Sequence, residues 1–145
     1  MSDPLVLTPT PPPDEARDAL LLACGHPPKQ EAPKGFRGVA ALWARDRDML
    51  VGQGVVLELR RRSGRLRDLA PPDWPHPVGL IELLCVRPEY RETGLEERIV
   101  RALLRRFRVA VPGRDALIYV GEARVPVLLS TVEALGPKPL DDRLR

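Results

Sequence analysis

The residues of this sequence best suited to chemistry fall in one stretch, Ile81 to Arg108. The turn Arg91-Glu92-Thr93-Gly94 separates an apolar run from a segment in which Leu95, Ile99, Ala102, Leu103 and Phe107 recur at helical spacing. A strand, a tight turn and a helix in that order present unsatisfied backbone N–H groups and the positive end of a helix dipole, which together bind anions. Gly94 lets the backbone approach such a ligand closely. The same residues permit a second outcome: Thr93-Gly94-Leu95-Glu96 spells a capping box, in which Thr93 and Glu96 exchange side-chain to backbone hydrogen bonds and fill those donors from within. Glu82 is the acid inside the apolar run. Partial burial there would raise its pKa toward the range of a general base; an outward-facing or salt-bridged strand residue is the alternative.

Other chemistries find less material. His26 and His76 stand alone in proline-rich loops without a Cys or His at ligand spacing, so no metal site is expected. Cys24 and Cys85 sit among apolar neighbours and read as small buried hydrophobes, with no disulfide framework. Neither a G-x-S-x-G elbow nor a phosphate loop ending in G-K is present. The run RRRSGRLR from Arg60 to Arg67 has two readings, a solvated strand end or a contact for nucleic acid or an acidic ligand, and the first is favoured.

These residues must be positioned by a recognisable series of elements. Leu5 to Leu7 is β-prone, and the prolines from Thr8 to Pro13 make a stiff extended connection. A helix follows, with Asp14, Glu15 and Asp18 at its start, and Gly25, Pro27 and Pro28 stop it. His26 to Gly35 reads as a loop. Phe36 to Ala44 and Met49 to Leu59 read as an antiparallel hairpin around the charged turn Arg45 to Asp48. In the loop from Arg60 to His76, Trp74 serves either as a cover over the sheet or as an exposed substrate contact. Val78 to Val86 is the central strand, and the helix after it returns the chain to Ala116 to Val120 by a parallel crossover. A last helix runs from about Val125 to Leu135 and ends at Gly136-Pro137.

Length and composition fit one domain over residues 1–145, with a core of Leu, Val, Ile and Ala. The net charge of +3 is a small excess over nearly balanced acids and bases, so nucleic acid is not the expected partner. The N-terminal MSDPLVL lacks a basic region followed by an apolar run, and no stretch reaches the ~20 apolar residues of a membrane span. The expected setting is the cytoplasm.

The order of elements, and the residues Leu84 to Phe107 in particular, resemble the GNAT superfamily of acetyl-coenzyme A-dependent N-acetyltransferases. The match reads L-x-V-x-P-x-Y-R-x-x-G, then a leucine-rich helix. The resemblance implies an α/β fold of the α+β kind, a mixed and mostly antiparallel sheet of about six strands flanked by helices. It also implies that Leu84, Cys85 and Val86 splay from the next strand to hold the pantetheine arm of coenzyme A. Its diphosphate would lie on the turn formed by Arg91, Glu92, Thr93, Gly94, Leu95 and Glu96. The family motif is Q/R-x-x-G-x-G/A, and here Glu96 takes the place of the last glycine or alanine, which sets a carboxylate beside the expected diphosphate. Val132 stands where the family often has a tyrosine acid, and Ser130 and Thr131 are nearby hydroxyls. The implied function is acetyl transfer to a small-molecule or protein amine by direct attack, with Glu82 and Ser130 as catalytic candidates. The alternative is a catalytically degenerate binding or regulatory module of the same fold. A homodimer formed by sheet-edge pairing or a swapped tail is a further expectation.

Overall fold

Two long strands, buried most continuously at Leu42 to Ala44 and at Leu50 to Gly54, form the first half of the molecule: β2 (Phe36–Asp46) and β3 (Met49–Leu59) pair antiparallel around the two-residue turn Arg47-Asp48. Arg47 adopts φ 56, the left-handed backbone that such hairpin turns require. The strands therefore run closer to the turn than composition suggests, because Arg45 and Asp46 join the ladder. The structure, a computed structural model, describes residues 5–26, 34–60, 69–71, 73–121 and 125–135. Most of the arginine run at 60–67, the middle of the 26–35 loop and the tail from 136 lie outside the described residues.

Around that hairpin stand β1 (Leu5–Thr8), α1 (Asp14–Ala23), β4 (Val78–Val86), α2 (Leu95–Ala110), β5 (Leu117–Val120), β6 (Val127–Leu128) and α3 (Leu129–Leu135). The six strands lie in sequence order in one sheet, antiparallel except for the parallel pair β4 and β5 joined by α2. This is the expected mixed sheet. Helix α1 ends as its sequence foretells: Gly25 has φ 79, its N–H donates to Leu22 O at 3.0 Å, and the His26 N–H donates to Leu21 O at 2.8 Å. Among the described residues, no helix is long and apolar enough to cross a membrane.

Helix α2 covers one face of the sheet. Leu95, Ile99, Val100, Leu103, Leu104 and Phe107 are buried, each stabilising the fold by about 1.5–3 kcal/mol relative to exposure, and they form one core with Leu42, Val51, Val56, Ile81 and Val86. Ala102, expected in the stripe, is half-buried, while Val100 and Leu104 complete it. The close approach of helix and sheet depends on glycines. A Cβ on Gly54 would lie 2.9 Å from Leu103 Cδ1 and 3.0 Å from Ile99 Cγ2, and one on Gly79 would lie 2.8 Å from Ile118 Cδ1. The opposite face carries α1, with Leu20 and Leu21 against Trp43, Leu50 and Cys85.

The last helix starts four residues later than expected. Val127 and Leu128 pair with Ile118 and Leu117 of β5, and Val125, preceding a proline, is disfavoured in helical conformation. Asp115 then caps the helix, accepting from the Ser130 N–H at 3.0 Å and the Ser130 hydroxyl at 2.6 Å, as well as from the Ala116 N–H at 2.8 Å. Arg108 ties the end of α2 to this corner by donating to Glu133 Oε2 at 3.0 Å and to the carbonyls of Gly113 and Arg114 at 3.2 and 3.0 Å.

Two outcomes follow from these contacts. Gly54→Ala overpacks the α2 interface and should lower unfolding stability by about 1–3 kcal/mol in urea titrations. Burial acts to raise the Asp115 carboxyl, but the bonds from Ser130 and Ala116 outweigh it and hold its pKa below the ordinary value. A lowered folded pKa contributes stability that is present above the unfolded value, near ~3.9, and is lost as pH falls through the folded one. Melting temperatures from pH 6 down to pH 2 should therefore fall more steeply below about pH 4 in the wild type than in Asp115→Asn; parallel curves would contradict this role.

Candidate functional site

The parallel pairing of β4 with β5 ends at Ile81 and Val120, after which the Gly121 N–H donates to Ile81 O at 2.7 Å. Strand β4 continues to Val86. Among the described residues no strand pairs with its β5-facing edge from Glu82 onward, and this opening is where the sequence places Leu84, Cys85 and Val86. Between Val55 opposite Glu82 and Gln53 opposite Cys85, β3 advances two residues while β4 advances three. The extra residue is Leu83, with φ 53, a conformation that costs a non-glycine residue roughly 1–3 kcal/mol. The bulge resets the alternation of side chains. Glu82 and Cys85, opposite Val55 and Gln53, both lie on the sheet face away from α2, while Leu84 and Val86 pack into the α2 core.

The bulge has a polar neighbour. Gln53 is 3% exposed, and its Nε2 donates to the carbonyl of Leu83 at 3.3 Å. Its Oε1 has no partner, and neither has Nε1 of Trp43, the residue opposite Gln53 on β2. Each such buried group costs on the order of 1–3 kcal/mol. The sequence did carry a sign of Gln53: it is the one polar residue in Gly52-Gln53-Gly54, amid an apolar strand. Alongside, the Cys24 thiol donates to Val86 O at 3.5 Å. Cys24 and Cys85 are free thiols in contact, and burial, then the Cys24 thiol and the Glu96 carboxylate, push the Cys85 thiol up.

The turn after β4 is tied back to the hairpin. The Arg87 N–H donates to Val51 O and its Nε to Leu50 O, both at 2.8 Å, and the Tyr90 hydroxyl donates to the Asp46 carboxylate. That bond raises the Tyr90 pKa. After a single 3-10 turn at Pro88–Tyr90, Arg91, Glu92, Thr93 and Gly94 are exposed. The expected capping register is displaced by one residue. Gly94, at φ 80, is the N-cap of α2 and no side chain caps it, while the Thr93 hydroxyl donates backward to Tyr90 O at 2.7 Å. The tethered turn fixes Thr93 over Tyr90, ahead of the position from which a cap acts. Leu95 is buried in the core, and Glu96 lies in the first helical turn, close enough to act on the Cys85 thiol.

The other candidates are distributed differently. Glu82 borders the opening, half-buried, on the face away from α2. Ser130 lies at the opposite end of β5, where its hydroxyl is held by Asp115, and it does not come together with Glu82. Tyr119 is buried and donates to Leu69 O at 2.7 Å. Trp74 is a cover over the sheet: it packs on the cluster of Leu57, Val78, Leu80 and Tyr119, and its Nε1 donates to Pro77 O at 3.4 Å.

No family model matches the sequence, and no curated protein matches it. Solved structures match in fold. A Trypanosoma brucei acetyltransferase aligns with a TM-score of 0.54 at 17% identity, covering 97% of this chain and 97% of that chain. A protein of unknown function from meticillin-resistant Staphylococcus aureus, described as a probable acetyltransferase, aligns with a TM-score of 0.53 at 18% identity over 95% of this chain and 92% of that one. Arabidopsis thaliana NAA60 in complex with acetyl-CoA gives 0.51 at 15% identity, over 79% and 75%. At such identities the likeness is one of fold: a six-stranded mixed sheet with three helices, in the GNAT-like arrangement.

Proposed function

We propose that the protein is a GNAT-type N-acetyltransferase that moves an acetyl group from acetyl-coenzyme A to an amine by direct attack. The observation that carries this reading is the course of β4, which leaves β5 after Ile81, bulges at Leu83 and leads through an exposed turn to a helix start without a side-chain cap. The residues fit the cofactor. Nothing lies within 4 Å of the place a Cβ would take on Gly94, so a diphosphate could approach the backbone there, and Arg91, three residues earlier in the same exposed turn, would supply a cation. Strand alternation, counted back from Arg87, turns the backbone groups of Leu84 and Val86 away from β3 and toward the open edge, where they would hold the pantetheine arm. Coenzyme A, when bound, supplies the acetyl group as a thioester.

Glu82 would take the proton that the attacking ammonium must lose, from its place beside the opening. Ser130 has no part in this scheme, being held at the far end of β5. The Cys24 thiol would release Val86 O as the cofactor enters. A second reading, a binding or regulatory module on the same fold, draws support from Glu96, which puts negative charge near the expected diphosphate, and from Val132 in place of a hydroxyl-bearing acid.

Two measurements separate the readings. Titration of coenzyme A should show binding that tightens in Glu96→Gly by roughly 5- to 100-fold, the equivalent of about 1–3 kcal/mol of relieved repulsion; equal affinity in both proteins would remove Glu96 as the obstacle. Thiol release from acetyl-coenzyme A with a panel of amines should occur in the wild type and drop by roughly 100-fold or more in Glu82→Gln, with coenzyme A binding kept. Binding without turnover would favour the module.

A further inference from the structure

The geometry points to Gln53 as the residue that holds the β4 bulge open, and so as a positioning residue for the cofactor strand. This inference rests on the coenzyme A reading above for its functional meaning, though not for its structural test. A bulge leaves the carbonyl of its extra residue outside the ladder, and at Leu83 that carbonyl is taken by Gln53 Nε2 at 3.3 Å. Gln53 stands opposite Cys85, so it bonds across the strand pair to the residue two places earlier than its own partner. In the structure the bond is made with Leu83 at φ 53 and the strand offset by one. Were the bulge to close, the alternation of β4 would reverse from Leu84 onward, and Leu84 and Val86 would turn from the α2 core while Cys85 turned into it.

Stability alone does not account for the residue. The Gln53 amide is oriented by its bond to Leu83, since the reversed orientation would set Oε1 against a carbonyl oxygen. That orientation leaves Oε1 buried without a partner, as is Nε1 of Trp43, the residue opposite on β2. An apolar side chain of the same length would avoid that cost and could not hold Leu83. A buried, half-satisfied amide next to a strained leucine, both at the point where β4 leaves β5, is the pattern of local cost kept for a shape.

The test compares wild type, Gln53→Met and Gln53→Glu with Leu57→Ala, a core deletion on the same strand away from the bulge. Hydrogen exchange of the backbone amides of Cys85 and Arg87, which face β3, is read without cofactor, together with urea stability and coenzyme A affinity. The inference expects Gln53→Met to be no less stable than Leu57→Ala, yet to exchange at Cys85 and Arg87 at least ten times faster than the wild type while the rest of the sheet is unchanged. Gln53→Glu should behave alike once its carboxyl is ionised, since a carboxylate cannot donate to Leu83, and should approach the wild type at lower pH, where the protonated acid can. Coenzyme A affinity should fall at least tenfold in both, and less than threefold in Leu57→Ala. Unchanged exchange at Cys85 and Arg87, or faster exchange spread evenly over the sheet, would overturn the role of Gln53. Local loosening in a protein whose wild type does not bind coenzyme A would keep the clamp and remove the cofactor reading.

Discussion

Helix α2 can reach the sheet only because positions 52, 54 and 79 carry no side chains. Each would place a Cβ within about 3 Å of Ile99, Leu103, Phe107 or Ile118, closer than packed carbons tolerate. That close contact fixes the height and direction of the helix, and hence where its first turn stands relative to the end of β4. The loop between them has little freedom left. Arg87 and Tyr90 fasten it to the β2–β3 hairpin, so the exposed stretch from Arg91 to Gly94 is a short arc on a rigid frame. Sites of this kind, at the carboxyl end of a parallel strand and the amino end of the following helix, follow from the fold rather than from loop chemistry.

Unfavourable terms gather in the neighbouring row of the sheet. Leu83 has left-handed backbone, Gln53 and Trp43 bury polar atoms without partners, and two thiols meet beneath α1. Elsewhere the described core is apolar, in three clusters that include residues of α2, of α1 and of the layer under Trp74. The contrast is physical. A uniform β3–β4 pairing would avoid these costs.

Much of this was legible in the sequence, and the reasons differ by element. Met49–Leu59 and Val78–Val86 were read to the residue, because turn residues bound them and their apolar content leaves no other structure. The helix after Gly94 was equally plain from its period. The bulge was not, since Leu83 and Leu84 are the same residue in an unbroken apolar run and no pattern marks which is extra. The capping register failed for another reason. Thr93-x-x-Glu96 is a local signal, and it lost to tethers from Asp46 and Leu50, more than thirty residues away. The sequence offers Ser130 as a hydroxyl near the position of the missing tyrosine, and the Asp115 carboxylate that holds it is visible only once β5 and β6 are paired.

The arrangement around Arg108 also bears on the order in which the molecule is built. Helix α3 has seven residues, about half the length at which isolated helices begin to persist in water, so it exists only while docked. Its dock is made of parts from three places: the Asp115 carboxylate before β5, the last turn of α2 through Arg108, and the two-residue strand β6. None of these is in position until β4, α2 and β5 have closed into a unit. The corner thus depends on the closed unit around it, and α3 loses its support wherever β4, α2 or β5 opens.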